Sequence, residues 1–330
     1  MPRLVTVSRD DLKIARRRRG KGFVYLNAAG RPVAGLGFRT RVKSLGIPPA
    51  WTDVRIAEHP RAHIQCCGTD DAGRVQYIYH PDWELKRTAR KEVRLRRLTS
   101  ALPAIRRRVG RDLSAEAGTK ELALALAVAL IDRTAMRVGR ERYLEERGTR
   151  GAGTLFDRDV RVGRDEVYIT FPAKSGKVAE YHVADARLAS AINRIKTMRG
   201  ERLLEYRDAD GVARPIKTQM INDYLHEISG ADISGKDFRT LHASALAGEA
   251  LARLEPGASE SARKRQIAGV SREIAGVLRN TPMICRKSYI VPLLFRLFDA
   301  GKLRGLWEAA ATTNGLRSPE RRLGALLAAA

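Results

Sequence analysis

The sequence predicts an α+β protein, with a small N-terminal domain that contains a β-sheet and a larger, mostly α-helical domain that carries a small three-stranded sheet. Three observations predict it. Short β-like runs separated by turn residues occupy residues 22–83, apolar residues recur at three- and four-residue spacings through most of the chain beyond Asp112, and one β-like interlude interrupts that helical pattern. A chain of 330 residues is long enough for two cores, because single cores usually stop growing at about 250–300 residues.

In the first domain, Phe23, Val24 and Tyr25 precede turn material at residues 27–30, and a second β-like run at residues 75–79 follows the turn at 70–73. Pro48-Pro49-Ala50-Trp51 reads as extended, since a residue before proline avoids the helical region. Residues 84–112 form a dense basic stretch, from Lys86 and Arg87 to Arg108 and Arg111, expected to be helical, interrupted at Pro103, and to lie along a polyanion as the hinge between domains 1–88 and 89–330. The most apolar run, residues 122–131, is about half of the roughly twenty residues a membrane span needs and predicts a buried helix. A meander of residues 153–156, 167–171 and 178–183 follows, with turns at Gly163-Arg164-Asp165 and Ser175-Gly176. Further helices are marked by Leu188, Ile192 and Ile195, by Ile221, Tyr224, Leu225 and Ile228, and by Ile267, Val270, Ile274 and Val277. Gly230, Gly257 and Pro256 fall where helix boundaries are expected.

Lys and Arg number 62 against 37 Asp and Glu, a formal charge of +25 and a pI near 10.7. The excess is spread along the chain, so the folded body itself should attract phosphates, with nucleic acid the leading partner. Ribosome-associated and membrane-surface proteins are equally basic, so charge alone does not name the chemistry. Cys66, Cys67 and Cys285 lack CxxC spacing, and the histidines form no ligand pattern. Neither a metal site nor a disulfide framework is therefore expected, and a reduced intracellular compartment fits best. Between Met1 and the run Arg16-Arg17-Arg18-Arg19 there is no apolar core of signal-peptide length, so neither secretion nor membrane insertion is expected.

Breaking a phosphodiester without a metal needs a nucleophile, donors for the charge growing on the nonbridging oxygens, and an acid for the leaving oxygen. Tyrosine, paired arginines and lysine can supply them, and Arg137, Lys174, Arg239, Asn280 and Tyr289 occur in that order. Singly, each has an ordinary explanation: a salt-bridging arginine, a solvated lysine on a turn, a core tyrosine whose hydroxyl finds a partner. Together with their surroundings they resemble type IB topoisomerases of the compact bacterial and poxvirus kind. The resemblance rests on residues 136–143 (Met-Arg-Val-Gly-Arg-Glu-Arg-Tyr), 171–177 (Phe-Pro-Ala-Lys-Ser-Gly-Lys), 236–240 (Lys-Asp-Phe-Arg-Thr) and 280–290 (Asn-Thr-Pro-Met-Ile-Cys-Arg-Lys-Ser-Tyr-Ile).

The resemblance implies that Tyr289 attacks a DNA phosphate, forming a 3′-phosphotyrosine and releasing a 5′-hydroxyl. Arg137 and Arg239 would pair with the nonbridging oxygens, and Lys174 would protonate the departing oxygen. Religation would need neither ATP nor a metal or other cofactor. Two departures from the family pattern stand out. Many relatives have histidine nine residues before the nucleophile, where this chain has Asn280, a donor that is neutral and does not titrate. Ala173 stands where glycine commonly precedes the lysine.

Gln76-Tyr77-Ile78-Tyr79 resembles the poxvirus strand that lies in the DNA major groove, which assigns Gln76, Tyr77 and Tyr79 to DNA contact. Tyr143 and Thr154 are further candidates for backbone contacts. The implied partner is double-stranded DNA, held by a monomer that acts as a clamp, with a cytoplasmic, nucleoid-associated location. A tyrosine recombinase uses related chemistry, but it typically has histidine where this chain has Lys236, and its helical N-terminal domain fits the β-like start poorly. A non-catalytic architectural DNA-binding protein would also account for the charge.

Overall fold

The computed structural model describes residues 3–173, 178–310 and 318–329. It divides into two compact units, Met1–Arg90 and Lys91–Ala330.

The first unit is built on a five-stranded antiparallel sheet of β1 (Ile14–Arg19), β2 (Gly22–Leu26), β3 (Thr52–Ile56), β4 (Ile64–Thr69) and β5 (Val75–Tyr79), in the order β2-β1-β3-β4-β5. Helix α1 (Leu36–Leu45) packs Val42 onto Ile14, Val54, Ile56 and Cys66 on one face. Leu12, Ala57, Ala62 and Cys67 form a smaller cluster, so the adjacent Cys66 and Cys67 serve different faces, as the pleat requires. The arginine run forms β1. A strand tolerates that composition because Arg16 turns inward, stacks on Phe23 at 4.1 Å and donates to the carbonyls of Pro48 and Trp51. The segment expected to be extended at Pro48 instead closes a turn, with the Trp51 N–H on the Pro48 carbonyl at 3.2 Å.

The basic stretch is one helix, α2 (Pro81–Asp112), and the division between the units falls inside it. Pro103 does not interrupt it. One ladder bond is lost there, but Leu95, Leu98, Leu102, Ile105 and Val109 form a buried stripe on both sides of the proline, and each fully buried leucine is worth about 1.5–3 kcal/mol. Part of the positive charge faces the protein itself. Arg106 makes paired bonds of 2.8–2.9 Å to the buried carboxylates of Asp132 and Glu320, and Arg94 lies 3.3 Å from Asp237. Arg106 is therefore turned towards the Asp132 and Glu320 carboxylates and away from the polyanion expected along the stretch.

Around α3 (Lys120–Thr134), buried on every side from Leu122 to Asp132, the second unit assembles its helices. They are α4 (Glu141–Arg147), α5 (Ala186–Lys196), α6 (Thr218–Ser229), α7 (Gly235–Ala252), α8 (Glu260–Val277), a short α9 (Pro282–Ile284), α10 (Pro292–Asp299), α11 (Leu303–Glu308) and α12 (Ser318–Ala329). Gly230 caps α6 in the left-handed region at φ 62°. A three-stranded antiparallel sheet, β6 (Val160–Val162), β7 (Glu166–Pro172) and β8 (Val178–Ala184), packs on it, and β9 (Glu205–Arg207) and β10 (Ala213–Pro215) form a separate hairpin. The first strand of the meander lies later than expected. Residues 152–154 and 157–159 form single 3-10 turns, the second closed by the Asp159 carboxylate accepting from the Phe156 N–H at 2.8 Å. Among the described residues no helix is long and apolar enough to cross a membrane.

Candidate active site

Four of the five residues expected to act together belong to one neighbourhood of the second unit; Lys174 lies outside the described residues. Two helix C-termini create it. Helix α3 ends with Ala135 in the left-handed region, and the chain then leaves the helix as a loop through Arg137 and Val138. Helix α8 ends in a Schellman turn with Arg279 at φ 51°: the Arg279 N–H reaches the Gly276 carbonyl and the Asn280 N–H the Ala275 carbonyl. Glycine is the usual residue at that position. Arg279 holds it because its guanidinium donates to the Val178 carbonyl at 3.1 Å and to that of Glu180, and lies 5.0 Å from the Tyr181 ring.

Arg239, on α7 and 2% exposed, staples these two ends together. It donates to the carbonyl of Ala135 and, at 2.8 Å, to that of Leu278. Helix C-termini carry partial negative charge, which makes burial of the guanidinium tolerable. The same group lies 4.9 Å from the Tyr289 ring. Its Nε has no hydrogen-bond partner among the described residues.

Arg137 is held by its own backbone, whose carbonyl accepts from the Ala152 N–H at 2.9 Å while that of Val138 accepts from Gly153 at 2.7 Å. This close approach requires glycine at 151, because a β-carbon there would stand 2.3 Å from the Arg137 carbonyl oxygen. The side chain donates to Asn280 Oδ1 at 2.7 Å. Since arginine can only donate, the amide is oriented with Oδ1 towards Arg137 and Nδ2 away. That Nδ2 is buried and has no partner among the described residues. Burial, followed by the charge of Arg239, pulls the Arg137 guanidinium below its usual value, with Tyr289 opposing.

Tyr289 closes a π-helical turn, Cys285–Tyr289, which continues α9 and ends with the Ile290 N–H on the Cys285 carbonyl. Two groups that the sequence did not single out fix its backbone. Ser244, fully buried on α7, donates to the Tyr289 carbonyl at 3.1 Å and accepts from the Val291 N–H at 3.1 Å. Lys91 of α2 donates to the carbonyls of Lys287 and Ile290 at 3.0 and 3.3 Å.

These elements enclose a cleft of about 300 Å³ whose lining includes Arg137, Arg140, Arg150, Lys236, Arg239 and Tyr289 and, among the described residues, no carboxylate. A phosphate oxygen about 4 Å from one such cation gains on the order of 4 kcal/mol at an effective dielectric of about 20. Deep guanidinium donors, an amide N–H and a phenol can bind one phosphodiester and attack it.

The expected DNA-contact residues are arranged differently. Tyr143 is exposed and lines the cleft, with Arg147 over its ring at 5.7 Å. Thr154 is only 3% exposed, and its hydroxyl accepts from the Gly151 N–H at 2.9 Å. Turned inward, it packs beneath Gly139 of the cleft lining, its Oγ1 2.5 Å from where a β-carbon on that glycine would stand. In the first unit, Tyr77 and Tyr79 stack at 6.1 Å on one face of the edge strand β5, and Arg87 covers Tyr79 at 5.2 Å. Strand alternation sends Gln76 to the other face, where its amide donates to Asp70 at 2.8 Å, so the three do not form one surface.

Comparison with known proteins gives matches over most of the chain. A family model described as the catalytic core of eukaryotic DNA topoisomerase I matches residues 82–290, and one described as the N-terminal domain of bacterial DNA topoisomerase IB matches residues 22–70. A protein of Acanthamoeba polyphaga mimivirus, named DNA topoisomerase 1B, is 27% identical over 293 residues, which is 87% of each chain.

Proposed function

Since the chain belongs to the type IB DNA topoisomerase family, we propose that it relaxes supercoils through a transient 3′-phosphotyrosine bond formed by Tyr289. The phenol oxygen attacks phosphorus, giving its proton to solvent water, as the bond to the 5′-oxygen breaks. Lys174 gives that oxygen a proton, and reversal of both transfers reseals the strand. Arg137 and Arg239 hold the nonbridging oxygens by charged hydrogen bonds, for which the planar guanidinium is suited. Asn280 adds a neutral donor through Nδ2. Because the bond energy is kept in the phosphotyrosine, neither ATP nor a metal is consumed.

One observation carries this reading. Arg150 Nε, Arg239 Nε and Asn280 Nδ2, three of the buried side-chain atoms without a partner among the described residues, gather around Arg137 and Tyr289 at a cleft that no described carboxylate lines. Buried donors in native proteins are almost always paired, and a phosphate oxygen would supply the missing acceptor. Support for Lys174 is indirect: Val178, four residues further on, is bound by Arg279 beside Asn280. We also propose that residues 1–88 and 89–330 act as a clamp and a catalytic domain on double-stranded DNA, in a monomer, with Tyr77, Tyr79 and Tyr143 among the contacts. Thr154 acts by positioning the cleft wall.

The test is relaxation of a supercoiled plasmid in EDTA without nucleotide. Relaxation that survives the chelator is expected. Strand exchange between two specific sites, without relaxation, would instead identify a recombinase.

A further inference from the structure

The β7–β8 hairpin is anchored at both of its strand ends. Pro172 and Val178 pair across it, and residues 173–177 join them, so Lys174 is the second residue after Pro172. On the β7 side the Pro172 carbonyl accepts from the N–H of Arg150, a residue of the cleft lining, at 3.4 Å. Strand β8 is the edge of its sheet among the described residues, which leaves every second carbonyl pointing outward from the strand pairing. Arg279 takes two of them. Its Nη1 donates to the Val178 carbonyl at 3.1 Å and its Nη2 to that of Glu180, two residues on and therefore on the same side of the strand. The guanidinium also lies 5.0 Å from the ring of Tyr181, which stacks at 6.0 Å on the buried Phe171 of β7.

The backbone of the same residue belongs to the cleft. The Arg279 carbonyl accepts from the Arg137 guanidinium at 3.5 Å, and the next residue is Asn280, whose Oδ1 accepts from Arg137 at 2.7 Å. At φ 51° an L-residue is disfavoured, and glycine would close this helix with less strain. What arginine adds is a guanidinium fork laid across the β8 edge. We propose, on the reading that Lys174 protonates the leaving 5′-oxygen, that Arg279 is a positioning residue for that step: it fixes the β8 end of the hairpin against the residues that hold the phosphate, and so sets where the turn delivers the Lys174 ammonium. The bond between Arg137 and Asn280 does not use the Arg279 side chain. Loss of that side chain therefore weakens proton delivery, as the P–O5′ bond breaks and the oxygen takes its electron pair, more than it weakens the hold on the phosphate.

Single-turnover cleavage tests this on the full chain, with a duplex that carries one mapped cleavage position and has either oxygen or sulfur as the 5′-bridging atom of that phosphate. Sulfur departs as a thiolate, whose conjugate acid has a pKa of about 8.5 as in cysteine, and needs no proton. Glycine is the replacement used because it suits the left-handed position. Arg279→Gly should slow cleavage of the oxygen duplex by about 10–100-fold, and of the sulfur duplex by less than about threefold, each relative to the parent. In a Lys174→Ala background the same substitution should slow the oxygen duplex further by less than about threefold, since an acid already removed cannot be misplaced. Equal slowing of both duplexes, a full additional loss in the Lys174→Ala background, or no slowing at all would overturn the proposal. Lys174→Ala alone separates the two claims. If sulfur does not rescue it, the acid is misassigned and the role of Arg279 falls with it; if sulfur rescues Lys174→Ala but not Arg279→Gly, only the role of Arg279 is lost.

Discussion

Ser244→Ala removes one oxygen atom that holds two backbone groups on either side of Ile290. Val291 is fully buried, so its N–H loses its acceptor with no water to replace it, which costs about 1–3 kcal/mol; the half-buried Tyr289 carbonyl loses a bond worth about 0.5–1.5 kcal/mol. A total of about 2–4 kcal/mol should lower the melting temperature of the second unit by roughly 4–16 °C. The catalytic effect is separable from this. Ser244 lies on the helix that carries Arg239, so the lost bonds release the backbone of Tyr289, the proposed nucleophile, from the helix bearing its guanidinium neighbour. A misplacement of about 1 Å can cost on the order of 100-fold in rate. Single-turnover formation of the covalent adduct, measured well below the melting temperature, should slow by about 10–100-fold while DNA affinity stays constant. Ser244→Thr, which keeps the hydroxyl, should recover most of the rate. An alanine variant as stable and as fast as the parent would refute the reasoning, as would a threonine variant no better than alanine.

Two further outcomes follow from the same geometry. Asn280→His places a titratable donor beside Arg137, whose positive charge should depress the imidazole below its ordinary value of about 6.5. Its charged form, the better donor, is present only below that depressed pKa. The variant's cleavage rate should therefore gain a limb that rises as pH falls through it, and a pH–rate profile that superimposes on the parent's would contradict this. Glu320→Ala leaves Arg106 and Asp132 with a broken buried network, which should cost about 3–5 kcal/mol and be read as a lower denaturant midpoint at unchanged m-value. An unchanged midpoint would show that α12 is not held by this contact.

The helical part of the second unit was legible because burial on one side imposes a 3.6-residue period: Leu188, Ile192 and Ile195 on α5, and Ile221, Tyr224 and Leu225 on α6, are all buried as that pattern requires. The misreadings occur where tertiary contacts override local preference. The segment at Pro48 looks extended until the Trp51 N–H closes a turn on the Pro48 carbonyl, beside which Arg16 docks. Pro103 looks like a break until the apolar stripe of α2 is buried on both sides of it. At the candidate site, motif order brought out Arg137, Arg239, Asn280 and Tyr289, but not the groups that support them. Ser244 and Lys91 act on backbone carbonyls far away in the chain, and no local pattern marks such a contact. Arg279 left one faint signal, a non-glycine residue where a helix must end just before a candidate site residue. Gln76 and Tyr77 are adjacent in sequence, and strand alternation alone could have separated them.

The most direct test of the central claim is to denature the protein rapidly on DNA, digest the product and locate by mass spectrometry the residue that carries the nucleotide. The account predicts a 3′-linked nucleotide on the peptide containing Tyr289, and loss of both adduct and relaxation in Tyr289→Phe with DNA binding retained. An adduct on any other residue, or plasmid relaxation undiminished in Tyr289→Phe, would contradict it.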